Sequence, residues 1–345
     1  MNAPTDRKKF LGGSDIAAVI GVSPWATPLQ IYLSKTGQTL PEKMRPDPQR
    51  ERILRRGKLM EPVIIKMLQA ELPLKVTKQA TEDDPNYHID PEHDFLAAQI
   101  DFEWEVTPEI VAHFAEAGYE IDAALIGTVQ NAEVKSAHPF VALAKFGEEW
   151  TDEIPVEYAT QAMHGLMVSN RQLAMVPVLV GSDNLIIYWV KRDADLIASI
   201  RDKEVRFWVD NVLAGVAPPP QEIADVYRML SRDKASLREA DPAVSGLIQS
   251  LRVFKDRERI TKEAIEATQF EIGCFVLGAD VIENPKEKDK GKHVITVDGK
   301  PALTIAYQEQ QRIDADALRE KHPEIAVECT TTSEFFTFTL KRNKP

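Results

Sequence analysis

Two short stretches of this 345-residue chain have the residue types and spacing for phosphodiester chemistry: LAAQIDFEWEV from Leu96 to Val106 and QNAEVKSA from Gln130 to Ala137. Both read as strands, in which side chains two apart share a face. Glu133 and Lys135 then project together while Ala132 and Val134 turn into the core. The same alternation sets Asp101, Glu103 and Glu105 opposite Ile100, Phe102, Trp104 and Val106. If the strands pair, an aspartate, a glutamate and a lysine meet at a sheet edge or fork. Carboxylates that close raise one another's pKa unless something positive lies between them, and a divalent cation does this best. Hard oxygen ligands favour Mg2+, with Mn2+ as a substitute. In such a centre the carboxylates hold the metal, and the lysine orients and helps deprotonate the attacking water. Alone, Glu-x-Lys is common on the solvated face of ordinary strands, so the surrounding segments must decide.

The segment GGSDIAAVIGVSPW from Gly12 to Trp25, followed by TPLQIYLSKTG from Thr27 to Gly37, resembles the opening of the YqaJ-type viral recombinases, the lambda-exonuclease-like branch of the restriction-endonuclease fold. Further similarities follow in that family's order. RGKLMEP at Arg56 to Pro62 is similar to its Gly-to-Glu-Pro helix segment, and Leu96 to Asp101 to its aspartate strand. Glu133 to Lys135 is similar to its Glu-x-Lys strand, and PVEYATQAMHGLM at Pro155 to Met167 to its Tyr-x-x-Gln helix. Five ordered matches over roughly residues 7–180 are far more specific than any one of them.

The resemblance implies an α/β, restriction-endonuclease-like core with a central mixed sheet flanked by helices. It implies an Mg-dependent exodeoxyribonuclease working 5′ to 3′ on double-stranded DNA ends in phage-type homologous recombination. Glu61, Asp101 and Glu133 would ligate the metal, with the Val134 carbonyl as a further ligand. Lys135 would act on the water, and Tyr158 and Gln161 would support the site from their helix. Ser14 and Arg7, seven positions apart, would hold the 5′-terminal phosphate. A ring-shaped homo-oligomer and a single-strand annealing recombinase as partner are implied in the same way. Two other classes stay open: a structure- or site-specific endonuclease with the same centre, and a non-catalytic DNA-binding phage protein. The chain departs from the family pattern by Phe102, where a glycine usually follows the aspartate, and by an insertion at 107–127 with a helical segment from Pro108 to Ala117. Glu103 is therefore an alternate ligand. Long hairpin extensions are tolerated because closure entropy grows slowly with length.

The elements that must position these residues follow from periodicity and punctuation. Asp15 to Ile20 is expected as a short helix with Ser14 as its N-cap, and exposed N–H groups at such a start attract anions. Trp25 is expected to plug the core under the next helix, Leu29 to Thr36. A third helix spans roughly Arg50 to Leu72, with Ile53, Leu54, Val63, Ile64, Met67 and Leu68 as its buried stripe. Pro62 should start, kink or interrupt that helix, leaving Glu61 at a bend. Strands are expected near Leu74 to Thr77, Asn86 to Ile89, Leu96 to Val106, Ala174 to Val180 and Leu185 to Val190. Helices are expected at Val156 to Val168 and around Leu196 to Phe207. His113, His138 and His164 read as surface or packing residues.

Composition bounds the rest. At 43% hydrophobic the chain can bury a full core and carry an appendage. It has no apolar run of membrane-spanning length and no signal-like start, so a cytoplasmic setting is expected. Cys274 and Cys329 are too few and too far apart for a zinc site or a disulfide framework. The net charge of −12 argues against a nucleic-acid partner until it is divided. Residues 1–66 carry 12 Lys and Arg against 6 Asp and Glu, net +6, leaving −18 for the other 279 residues. The basic run Arg45, Arg50, Arg52, Arg55, Arg56 and Lys58 precedes Glu61, where it could track phosphate.

Past Pro218 to Pro220 the texture changes, so residues 1–217 are assigned to a nuclease domain and 221–345 to a C-terminal α+β appendage for assembly or partner contact. Glu222 to Leu237 and Ala243 to Leu277 suggest a helical hairpin. A charged loop at Lys286 to Lys292, a β-hairpin turning at Asp298 and Gly299, a helix at Ala315 to Lys321 and a strand at Glu334 to Leu340 complete it. There is no nucleotide-binding loop and no repeat.

Overall fold

A computed structural model describes residues 6–38, 48–234, 237–278, 292–330 and 337–340. The chain forms two units, Met1–Asp233 and Lys234–Pro345. In the first, helices α1 (Gly13–Val19), α2 (Pro28–Lys35) and α3 (Pro48–Glu71) precede strands β1 (Lys75–Gln79), β2 (Tyr87–Ile89), β3 (Ala97–Gln99) and β4 (Phe102–Glu105). Then come α4 (Pro108–Glu116), β5 (Val129–Ala132), β6 (Lys135–Ala137), α5 (Pro139–Lys145), α6 (Val156–Ser169), β7 (Leu173–Val180), β8 (Asn184–Lys191), α7 (Ala194–Arg206) and α8 (Ile223–Leu230). Among the described residues no helix is long and apolar enough to cross a membrane.

The central sheet is mixed. β4 pairs antiparallel with both β1 and β5, β5 and β6 run parallel to β7, and β8 closes antiparallel on β7. The run LAMVPVLV of β7 is apolar throughout because both its faces are covered. Ala174, Val176 and Val178 enter one core cluster with Ala162, Met163 and Leu166 of α6. Leu173, Met175 and Leu179 enter the other, with Ile64, Ile65 and Leu68 of α3 and Ile110 and Phe114 of α4. This is the α/β class expected, a mixed sheet flanked by helices.

The two strands read as continuous are both interrupted, and at the same place. Asn131 faces Ala174 and Lys135 faces Val178, so β5 and β6 keep one register along β7 while Glu133 and Val134 fall in the gap. The ladder to β4 ends at Phe102 opposite Ala132. Before Phe102 the chain leaves the sheet at Asp101 and passes back to β3, which pairs with β2 in a separate two-stranded ribbon. The result is a fork at Asp101 and Glu133.

Several expectations are corrected. The N-cap of α1 is Gly12, and Ser14 is its second residue. Pro62 lies inside α3, so it neither starts nor ends that helix. The apolar stripe of α3 divides: Ile64, Ile65 and Leu68 are buried, whereas Ile53, Leu54 and Val63 are exposed. The insertion builds core, with Thr107 capping α4 and Ile110 and Phe114 fully buried against Trp150 and Trp189.

The first unit continues past Pro220. Asp225 of α8 is fully buried and accepts hydrogen bonds from Thr27 Oγ1 (2.9 Å), Arg228 (2.6 Å) and the Gln221 N–H (3.1 Å). The two helices expected to form a hairpin therefore fall in different units, because α9 (Pro242–Gly278) lies in the second. That unit also has β9 (Lys292–Val297) and β10 (Lys300–Ala306), joined through Asp298 and Gly299, both with positive φ as a type I′ turn requires. Helices α10 (Ala315–Lys321) and α11 (Pro323–Glu328) follow. Of the last expected strand, residues 337–340 are irregular and 334–336 lie outside the described residues, as do 286–291 of the charged loop.

Candidate active site

The fork supplies three of the expected residues directly. With β4 gone beyond Ala132, the Val134 N–H has no strand partner, and the Asp101 carboxylate takes its place as acceptor at 2.7 Å. Glu133 keeps its own N–H on the Met175 carbonyl at 2.9 Å, which fixes the backbone from which its side chain leaves. Lys135 donates to Glu133 Oε1 and, at 3.2 Å, to Gln161 Oε1. Gln161 in turn donates through Nε2 to Glu133 Oε1, so one amide from α6 bridges the acid and the base. One turn earlier on the same helix, the Tyr158 ring lies 5.0 Å from Lys135 Nζ, a cation–π distance.

Glu61 enters from α3. The helix lines the pocket with Ile53, Leu54, Gly57, Lys58 and Glu61 at three- and four-residue spacing, then turns the same face into the core from Ile64 onward. Of the basic run, Lys58 lines the pocket and Arg52, Arg55 and Arg56 are exposed along the helix. Arg45 and the side chain of Arg50 lie outside the described residues.

Arg7 and Ser14 line the same pocket, joined by a 3.0 Å hydrogen bond from Arg7 Nη2 to Ser14 Oγ. Arg7 lies in a short 3-10 turn, Arg7–Lys9, and helix α1 carries Ser14 against α6 so closely that a β-carbon on Gly13 would come within 3.1 Å of Gln161 Cγ. The structure thus brings Arg7, Ser14, Glu61, Asp101, Glu133, Val134, Lys135, Tyr158 and Gln161 to one pocket.

Its electrostatics are those of crowded carboxylates. Burial first, and then the charge of Glu133, push Asp101 well above the usual aspartate range, against the pull of Lys135. Glu61 is raised by burial and by Glu133, with Lys135 and Lys58 opposing. Burial pulls the Lys135 ammonium down, but Glu133 and Asp101 outweigh it and hold the pKa above that of an ordinary lysine. Three carboxylates with one contacting lysine form a hard-oxygen donor set suited to a divalent cation. Among the described residues no three such groups already stand in ligand geometry; Glu133 is engaged by Lys135 and Gln161, and Asp101 by Val134.

Two residues take places the sequence did not suggest. Trp25, expected in the core, is 45% exposed, lines the pocket and lies 5.9 Å from the Tyr158 ring. Glu103, the alternate ligand, is occupied elsewhere: His88 Nε2 is 2.6 Å from one oxygen and Arg171 Nη2 2.8 Å from the other. Burial works against its charge, but these partners bring its pKa down to about 2. His164, expected as a packing residue, is fully buried between Glu204 (2.9 Å) and the Ala97 carbonyl (3.1 Å), tying α6 to α7 and β3.

Residues 5–172 match the family model of the YqaJ-like viral recombinase domain. Over these residues, just under half of the chain, the protein is similar to that family. The stretch contains every residue expected in the site, from Arg7 to Gln161. The Bacillus subtilis (strain 168) protein described as "Uncharacterized protein YqaJ" is 26% identical over 216 residues, which are 62% of this chain and 56% of that protein. The chain therefore spans little more than half the length of this curated relative. Among solved structures, the alkaline exonuclease LHK-Exo of Laribacter hongkongensis aligns over 66% of this chain and 95% of its own, at 13% identity and a TM-score of 0.41. Its complex with dAMP aligns over the same shares at 15% identity and the same score. SSO0001 aligns over 68% and 91%, at 11% identity and a TM-score of 0.36.

Proposed function

We propose that the protein is a metal-dependent deoxyribonuclease, a 5′-to-3′ exonuclease that resects double-stranded DNA ends to expose single strands for phage-type recombination. The observation that carries this reading is the convergence of Glu61, Asp101, Glu133 and Lys135 on one sheet fork, in the pocket that also holds Arg7 and Ser14. The match of residues 5–172 to the recombinase-domain model supports it.

Glu61, Asp101 and Glu133, with the Val134 carbonyl, would hold Mg2+, or Mn2+ in its place. A bound cation supplies an activated water and neutralises charge growing on the phosphate. The protein's own part is positioning. Lys135, held by Glu133 and Gln161, would orient the water; the carboxylates beside it keep it protonated, so it would accept the water's proton only once a bound cation takes their charge. Gln161 fixes the carboxylate and the ammonium together, and Tyr158 packs over the ammonium. Arg7 and Ser14 would hold a terminal 5′ phosphate, a charge-assisted contact that favours an end over an internal site. Residues 1–217 would carry this chemistry and the C-terminal segment assembly into a ring-shaped homo-oligomer or contact with a single-strand annealing protein, in the cytoplasm.

Digestion of linear and covalently closed circular duplex, with Mg2+ and with chelator, tests the reading. Mg-dependent loss of linear duplex only, with mononucleotide release from 5′ ends, is expected. Cutting of the closed circle would favour the endonuclease alternative. Intact DNA under every condition would leave a non-catalytic DNA-binding protein.

A further inference from the structure

We infer that Lys35 and Asp15 set the charge offered at the Arg7 end of the pocket: Asp15 orients the Arg7 guanidinium, and Lys35 neutralises Asp15 so that the guanidinium keeps its charge for a phosphate. The inference rests on the proposed phosphate-holding role of Arg7 and Ser14 and assigns Lys35 and Asp15 as positioning residues for it.

The distances divide the work between the two cations. Arg7 Nη2 is 3.3 Å from each Asp15 carboxylate oxygen, whereas Lys35 Nζ is 2.7 Å from Asp15 Oδ2. The same ammonium donates to the Arg7 backbone carbonyl at 2.8 Å. Asp15 Oδ2 also accepts the Gly12 N–H at 3.0 Å. Side-chain exposure follows the same division, at 3% for Lys35, 13% for Asp15 and 46% for Arg7. The short, desolvated pair is Lys35 with Asp15, and Arg7 is the group left open to a ligand.

The backbone is shaped to this arrangement. A β-carbon on Gly12 would lie 2.6 Å from Arg7 Nη1, so the guanidinium rests on a bare Cα. The buried Phe10 ring meets Arg7 at 5.3 Å and Lys35 at 5.6 Å. Two cations thus share one carboxylate, leaving one positive charge on the exposed member. Without Lys35, Asp15 and Arg7 would cancel, and both residues assigned to the phosphate would still be present.

A charge cycle in the full-length protein separates this role from simple packing. The readout is the ratio of kcat/KM on linear duplex with 5′-phosphate ends to that on 5′-hydroxyl ends, with Mg2+. Lys35→Met is expected to lower this ratio about tenfold, chiefly through KM on phosphorylated ends, as for a weakened charge-assisted contact. Adding Asp15→Asn to Lys35→Met frees Arg7 again and is expected to restore the ratio, whatever the two changes do to stability. A parental ratio in Lys35→Met, or a double variant no better than the single, would overturn the inference, since packing damage accumulates and charge cancellation reverses. If Lys35→Met is recovered unfolded, Asp15→Asn alone decides: it is expected to keep at least the parental ratio, and loss of the preference would overturn the inference. A ratio of one in the parent itself would instead defeat the assignment of Arg7 and Ser14.

Discussion

Asp101 accepts a 2.7 Å hydrogen bond from the backbone N–H of Val134, the residue between Glu133 and Lys135. The aspartate beside one strand is thereby tied to the gap in its neighbour, which joins the two halves of the site. The bond also favours the charged form of Asp101, but burial and Glu133 outweigh it.

Metal affinity should therefore depend on pH. Asp101 and Glu61 have raised pKa values, so without a cation they hold protons at a pH where ordinary carboxylates do not. A ligand must shed its proton to bind, so apparent Mg2+ affinity should rise with pH through the range where these two groups titrate, and binding should release protons. Calorimetric titration in buffers of differing ionisation enthalpy at several pH values measures both. Affinity constant with pH, with no proton release, would count against Asp101 and Glu61 as ligands.

Glu103 should behave as a structural carboxylate. Its folded-state pKa of about 2 lies below the ordinary 4.5, so its stabilising effect is present above the ordinary value and is lost as pH falls through the folded one. Glu103→Gln should lower stability at pH 7 by roughly 2–3 kcal/mol and have little effect near pH 2, while leaving the Mg2+ requirement unchanged. Chemical denaturation at the two pH values checks the first part, and metal titration of activity the second. An altered metal requirement would return Glu103 to the ligand set.

Much of the site was legible because it depends on local spacing. Period-two alternation puts Glu133 and Lys135 together and buries Ala132 and Val134, and the structure does the same. The alternation assumes an unbroken strand, whereas at Asp101 the strand itself leaves the sheet for the ribbon of β2 and β3, which no local pattern marks. The stripe on α3 was visible, but no local pattern tells whether a stripe faces core or pocket, and Ile53 and Leu54 face the pocket. Trp25 reads as core by composition, although its exposure depends on the placement of α6. The pairing of Glu103 with Arg171, and of Asp225 with Thr27, joins residues remote in sequence, which periodicity cannot register.

The boundary of the proposed nuclease domain can be located by truncation. A fragment ending at Asp233 keeps Asp225 and its bonds to Thr27 and Arg228, whereas one ending at Pro220 leaves the largely buried Thr27 hydroxyl without its acceptor. The 1–233 fragment should fold and keep cleavage activity, and the 1–220 fragment should be less stable by about 2 kcal/mol or insoluble. Thermal unfolding and soluble yield compare them, and equal stability would place the boundary at the proline run. Light scattering on 1–233 adds the oligomer: unchanged subunit number would assign the assembly contacts to the first unit.

The most direct test of the central claim is single-turnover cleavage of 5′-phosphorylated linear duplex by Lys135→Ala, read beside its Mg2+-dependent DNA binding. Lys135 contacts Glu133 and Gln161 and is proposed to act on the water while the carboxylates hold the metal. Cleavage should fall by about 10² to 10⁴, the usual worth of a positioned acid or base, while Mg2+-dependent binding persists. Glu133→Ala should weaken both. Lys135→Ala cleaving at the parental rate would contradict the account.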